Sequence, residues 1–244
     1  MRKAIVAIAV LVTTPLYAQT DTSSQRGAMP KAFAIENQPC CDKIRGTPSV
    51  NSDDATVLAA LPDRAVRDGK ILRLKLEGNR SIKITDCGDD EDVCRTPENF
   101  VLHSLTAYWP KQKYYVVHAG FYESQGGYLI RETDGLVVGV PAPPILSPDE
   151  RYAVSSDPSV ANGGGAVSIL DMRFDPPAVL PEKESTTCPL NPQKFGLVTW
   201  GNDVKWIDNM HVLFGSPSFM QDAQKPRELL LHVIDGGAEW ECRF

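Results

Sequence analysis

From Lys70 the chain reads ILRLKLEGNRSIKIT, with Leu72, Leu74 and Leu76 on one side and Ile71, Arg73 and Lys75 on the other. Successive side chains of an extended strand point to opposite faces, so this period of two predicts a strand with one buried face. Gly78-Asn79 supplies a turn, and the alternation resumes through Ile82 and Ile84, which together predict a β-hairpin. Residues 19 to 69 carry polar runs such as TDTSSQRG and TPSVNSDD without a sustained period. They predict a mostly flexible lead-in, with a short helix around Ala55 to Leu61.

Beyond Phe100 three segments share one phrase: LTAYWPKQKYYVVHAGFYESQGGYLIRETDGLVVGVP, then PPILSPDERYAVSSDPSVANGGGAVSILDMRFDPPAVLP, then VTWGNDVKWIDNMHVLFGSPSFMQDAQKPRELLLHVIDGGAEWEC. Each offers a lead-in strand, a polar turn, two longer strands and a short final strand, which is the make-up of a propeller blade. Tyr114 and Tyr152 hold equivalent places 38 residues apart, close to the roughly 40 residues of a blade repeat. The interval from Tyr152 to Met210 is longer, and the excess is assigned to an insertion, DPPAVLPEKESTTCPLNPQ. No long amphipathic helix is visible. The expected fold is all-β over residues 70–244, a propeller-like array of small antiparallel sheets forming a small or incomplete propeller. The hairpin at 70–85 and NFVLHSL at 99–105 are expected to supply a fourth, incomplete blade, and a small closed ring is preferred to an open stack.

Ser147-Pro148-Asp149-Glu150 has the chemistry of a tight turn between adjacent strands, since proline presets the backbone and the Ser and Asp side chains reach nearby amides. Ser147-Pro148-Asp149 with Arg151-Tyr152-Ala153-Val154 resembles the SPDGR-type phrase of TolB-type propeller repeats, which also occurs in propeller domains of prolyl-oligopeptidase-like enzymes. The longer stretch GGYLIRETDGLVVGVPAPPILSPDERYAV resembles a pattern of exported bacterial proteins of unassigned function. Glu150 stands where the repeat family carries glycine. The resemblance implies a scaffold that binds partners on its rims, and it carries over no catalytic residue.

The first residues place Arg2 and Lys3 before an apolar run from Ala4 to Val12, then Pro15 and Ala18. This is the layout of a cleavable signal peptide over residues 1–18, and the run is shorter than the roughly 20 residues that cross a bilayer. A periplasmic or extracellular protein is therefore expected, without a membrane span once the signal is removed. Taking Arg2 and Lys3 from the 25 Lys and Arg leaves 23 against 31 Asp and Glu, a net charge of −8. Such a chain is repelled by phosphate backbones, so no nucleic-acid partner is expected. Six cysteines in an exported chain favour disulfides: Cys87 with Cys94, and Cys188 with Cys242, with the pairing of Cys40 and Cys41 left open.

Candidate chemistry is sparse. DCGDDEDVC crowds Asp86, Asp89, Asp90, Glu91 and Asp92 into one loop. Its plain reading is a solvated acidic loop, and its chemical alternative is a calcium site built from Asp86, Asp89, Asp90 and Asp92, although the spacing matches no EF-hand. The four histidines, His103, His118, His211 and His232, form no close pair, so any zinc site would have to be assembled by the fold. Neither G-x-S-x-G nor S-x-x-K is present, and Ser216 lies in a turn without an evident base. Glu123, Glu132, Asp134, Asp157 and Asp235 are scattered carboxylates that would need a shared cleft to act together. The glycines of ANGGGAVS precede a strand and make a flexible turn, since a phosphate cradle needs a helix N-terminus.

Aromatic residues are the remaining signal. Rigid rings exposed on a rim are natural anchors, and Trp109, Phe121 and Tyr122 are the candidates, with most other aromatics assigned to the core. The expected function is a non-enzymatic exported module that recognises a protein or glycan partner in the envelope. Its rivals are an envelope hydrolase with carboxylates at a central channel and an immunity-type inhibitor of an envelope toxin.

Overall fold

The computed structural model describes residues 30–41, 54–88, 94, 96, 99–157, 166–183, 185, 188, 204–214 and 228–243. Residues 1–18, Asp89, Asp90, Asp92 and Ser216, on which several sequence expectations rest, lie outside the described residues. Residues 31 to 244 form one compact unit.

The fold is an all-β, propeller-like array of four small sheets, none closed on itself. The first sheet comprises β1 (Phe33–Glu36), β2 (Ala65–Asp68), β3 (Ile71–Leu76) and β4 (Arg80–Thr85) in the order β1-β4-β3-β2, with one short helix, α1 (Ala55–Ala60), before β2. The second is a plain meander of β5 (Val101–Trp109), β6 (Tyr114–Phe121), β7 (Gln125–Arg131) and β8 (Val137–Val140). The third repeats it with β9 (Ile145–Leu146), β10 (Tyr152–Asp157), β11 (Ala166–Asp171) and β12 (Ala178–Val179). The fourth joins β13 (Glu182–Lys183), β14 (Lys205–Trp206), β15 (His211–Leu213), β16 (Glu228–Ile234) and β17 (Gly237–Arg243), with β13 parallel to β17 at its edge.

The predicted hairpin is β3–β4, turning at Gly78 and Asn79, both in the left-handed region that a tight hairpin turn requires. Two boundaries differ from the sequence expectation. NFVLHSL does not complete the first sheet: Val101 onward is β5 of the second. The first sheet is completed instead by β1 and β2, drawn from the segment expected to be a flexible lead-in. Those strands have only four residues each, too few for a period to stand out. The assigned insertion also contributes structure, giving β12 to the third sheet and β13 to the fourth.

Three apolar seams hold the array. Leu72, Leu74 and Ile82 of the first sheet meet Leu105, Tyr115 and Ile130 of the second. Trp109, Tyr114, Val116 and Leu129 meet Ala153 and Leu170 of the third. Tyr152, Val154 and Ile169 then meet Phe214, Leu231 and Trp240 of the fourth. Among the described residues no apolar cluster joins the fourth sheet to the first, so the core is that of an incomplete array and the preference for a closed ring is not met.

The residue pattern explains where the array stops. A sheet covered on both faces reads as a continuous apolar run, and β6 in the second sheet begins Tyr114-Tyr115-Val116-Val117, all buried. The first sheet instead sets Arg73, Lys75 and Lys83 on the face opposite its leucines. Charged side chains on that face make another sheet costly to stack there.

The Ser147 turn is built as its residues predict. Ser147 Oγ donates to Asp149 Oδ1 at 2.8 Å and accepts from the Tyr152 amide at 3.0 Å, while the Arg151 amide donates to Asp149. Glu150 sits at φ 59°, the left-handed region in which glycine is at ease. Its carboxylate accepts from Gln112 Nε2 at 3.0 Å and faces Lys111, tying this turn to the β5–β6 turn of the second sheet. Those two partners hold its pKa below the ordinary carboxylate value, Gln112 most strongly.

Candidate binding site

The β6–β7 hairpin forms one rim of the second sheet. Its tip exposes Phe121 and Tyr122, with Tyr122 60 % accessible; Leu102 on the neighbouring β5, paired with Gly120, is also exposed. The turn is closed by the Phe121 amide donating to the Ser124 carbonyl at 2.8 Å. A Cβ on Gly126 would stand only 3.1 Å from the Phe121 ring, so the absence of a side chain there lets the ring lie against β7. Below the tip, Gln125 Nε2 donates to Asp157 Oδ1 of the third sheet at 3.1 Å, and Gln125 Oε1 lies 3.3 Å from His118 Nε2. The exposed rings thus stand on a hairpin pinned to its neighbour.

Trp109, the third aromatic candidate, is not on this rim. It is 9 % exposed and packs in the seam between the second and third sheets. The cause is a β-bulge: the register with β6 shifts between Leu105 and Ala107. Before the bulge Leu105 faces the first sheet, whereas after it Tyr108 does so and Trp109 is turned to the third. A one-residue irregularity of this kind leaves no mark in a hydrophobic pattern that is apolar on both faces.

Asp86, the one member of the calcium candidate among the described residues, joins a buried polar group. Its Oδ2 accepts from Arg67 Nη1 at 2.9 Å, and its Oδ1 lies 2.8 Å from the His103 amide and 2.9 Å from His103 Nδ1. Arg67 reaches Asp54 as well, at 2.8 Å and 2.9 Å, and donates to the His103 carbonyl. Asp54, Arg67 and His103 are buried, so the group anchors the disulfide loop through ion pairs and leaves Asp86 no free oxygen for a cation. Asp54 precedes α1 without capping it, because its carboxylate is turned to Arg67. Among the described residues no group of three His, Cys, Asp or Glu is gathered to hold a metal.

A second polar group closes the other end of the same seam. Buried Glu132 pairs with Arg64 and accepts from the Tyr108 hydroxyl at 2.5 Å, and the Arg64 guanidinium lies 4.7 Å from the centre of the Tyr108 ring. Burial, followed by the bond to Glu132, pushes the Tyr108 phenol up to about 12. Of the other carboxylates, Asp134 is held by Arg131 in the β7–β8 turn, Asp157 by Gln125 at the end of β10, and Asp235 lies in the β16–β17 turn beside Lys183. They sit on three different sheets. A cavity of about 260 Å³ lies in the last seam, lined by Ile169, Leu180, Leu231 and Trp240, with Glu182 accepting from Trp240 Nε1 at 2.9 Å.

The cysteines pair as Cys40–Cys41, Cys87–Cys94 and Cys188–Cys242, with no free thiol. Both preferred pairs are present, and the open pair is vicinal. Three disulfides fit an oxidising, non-cytoplasmic environment. Among the described residues no helix is long and apolar enough to cross a membrane.

The fold also creates a neighbourhood that spacing concealed. His211 and His232, far apart in sequence, are direct cross-strand partners with rings 4.2 Å apart. No family model, no curated protein and no solved structure matches the chain.

Proposed function

We propose that the chain is an exported, non-enzymatic binding module that uses the Phe121–Tyr122 rim to hold a protein partner in the bacterial envelope. The observation that carries this reading is the pair of exposed aromatics on a hairpin pinned by Gln125 and Asp157. Rings already held in place lose little freedom on docking, and a central aromatic anchor contributes a large share of the affinity of many interfaces. The acidic balance of the chain steers it toward a basic partner. On this reading the third sheet, with its Ser147 turn, is a TolB-like repeat serving as scaffold.

The test is affinity capture from an envelope extract with the wild type and with Phe121→Ser/Tyr122→Ser. A specific protein recovered by the wild type and lost by the double variant is the expected result, with both proteins equally stable to urea. Retention of the same partner by the variant would remove the rim from the interface. Turnover of an envelope substrate by the pure protein, abolished by a carboxylate substitution, would replace this reading with the hydrolase.

A further inference from the structure

Among the described residues, one row of side chains on the fourth sheet takes no part in its apolar packing against the third. In its register His211 of β15 pairs with His232 of β16, which pairs in turn with Glu239 of β17. The adjacent row, Val212, Leu231 and Trp240, packs toward the third sheet. Neighbouring positions on a strand face opposite ways, so the histidine row lies on the side turned from that seam. The His211 and His232 side chains are 26 % and 33 % accessible.

The two imidazoles are stacked, with centroids 4.2 Å apart and planes 15° from parallel. Each turns Nδ1 toward a carboxylate. His211 Nδ1 lies 2.8 Å and 3.0 Å from the oxygens of Asp208, and His232 Nδ1 lies 3.8 Å from Glu239 Oε1. Asp208 is itself fixed by the amides of Met210 and His211, at 2.7 Å and 2.8 Å. Asp208, within hydrogen-bond reach of His211 Nδ1, favours the tautomer with its proton there and the lone pair on Nε2, which is the arrangement found behind metal-binding histidines.

We infer that His211 and His232 form an open two-imidazole site for a borderline divalent ion such as Cu²⁺ or Zn²⁺, bound through both Nε2 atoms. Imidazole nitrogen suits these ions, and copper binds such donors more tightly than zinc. At an M–N distance of about 2.05 Å and a tetrahedral angle, the two nitrogens stand about 3.4 Å apart with converging lone pairs, so the two partly exposed side chains turn out of their near-parallel stack to take up the ion together. Asp208 holds the His211 ring from behind, Glu239 stands 3.8 Å from His232 Nδ1, and neither is a ligand. Among the described residues no third ligand converges, and the remaining positions belong to solvent or to an incoming donor. Such a site is reached directly from solution and exchanges its ion readily.

The test titrates the full chain, freed of metal with a chelator, with CuCl₂ and separately with ZnCl₂ by calorimetry. Electron paramagnetic resonance of the copper form reports the nitrogen ligands. One ion per chain is expected, with hyperfine coupling to two imidazole nitrogens, and weaker binding at about pH 5 than at about pH 7.5 because protons compete for the ring nitrogens. His211→Ala and His232→Ala should each weaken binding at least about tenfold, and Asp208→Asn should do so more modestly as the outer support is lost. His118→Ala, on another sheet, should bind as the wild type does. Circular dichroism in chelator confirms that each variant is folded, and His211→Asn replaces any that is not. No saturable binding by the wild type, a copper spectrum without two-nitrogen coupling, or unchanged affinity in both histidine variants would overturn the inference.

Discussion

The first and last seams of the array solve the same packing problem differently. Between the first and second sheets, an apolar centre of Leu72, Leu74, Tyr115 and Ile130 is closed by charge at both ends: the Arg67 group at one and the Arg64–Glu132–Tyr108 group at the other. Between the third and fourth sheets the centre is larger and aromatic, with Phe214 and Trp240 5.1 Å apart. It keeps a cavity, and at its edge Cys188–Cys242 ties β17 to the chain beyond β13, on the fourth-sheet side. Buried ion pairs are costly to form but fix which groups meet, whereas a disulfide limits the unfolded chain without requiring complementary surfaces. The first seam is thus specified by paired charges, and the last by apolar packing beside a tether.

The largest expected effect breaks the first seam. Arg67→Met leaves Asp54 and Asp86 without their shared cation, and loss of one member of a buried pair costs about 3–5 kcal/mol. Urea denaturation at neutral pH should show that loss. A loss below about 1 kcal/mol would mean that the group adds nothing beyond the apolar packing.

Opening the last seam should cost somewhat less. Cys188→Ala with Cys242→Ala releases a loop spanning 54 residues and should lower stability by about 2–4 kcal/mol in the same assay. If the two effects add in the combined variant, the seams act independently; if the sum falls short, they share one unfolding unit.

A smaller effect reads the polar end of the first seam directly. An unfolded tyrosine ionises near 10, whereas the Tyr108 phenol is held at about 12 by burial and by its bond to Glu132. Between those values the folded state keeps a proton that the unfolded state has lost, so stability falls as pH rises through this window and is unaffected by this group below it. Burial also raises Tyr114, Tyr115 and Tyr128, so absorbance titration should show one late phenol fewer in Tyr108→Phe and one shifted downward in Glu132→Gln.

The smallest effect belongs to the middle seam, whose ion pairs are partly exposed. Arg131 holds the Asp134 carboxyl below the ordinary carboxylate value, chiefly through its hydrogen bonds. That stabilisation is present above the unfolded pKa and lost as pH falls through the folded one. Asp134→Asn should cost less than about 1 kcal/mol at neutral pH. A larger loss would show that the middle seam also depends on charge.

The alternation of ILRLKL and the turn at Gly78-Asn79 made the β3–β4 hairpin readable, and the recurrence of Tyr114 and Tyr152 at the head of a second strand made the second and third sheets readable. Both preferred cysteine pairs were legible from position alone. Of the three aromatics picked out as candidates for a rim, Phe121 and Tyr122 are exposed, whereas Trp109 is buried between the second and third sheets. His211 and His232 were visible only as isolated strand residues, because 20 intervening residues separate them and only the β15–β16 register brings their rings together.

By itself, the sequence determined what depends on neighbours along the chain: which stretches are extended, where they turn, and which faces are apolar. Periods of two and turn-forming residues are local properties, set by backbone geometry within a few positions. Tertiary structure alone decided which strands completed the first sheet, which way a bulge would turn Trp109, and which distant charges and imidazoles would meet. Those outcomes follow from packing and register between segments remote in sequence, where a shift of a single residue exchanges the two faces of a strand.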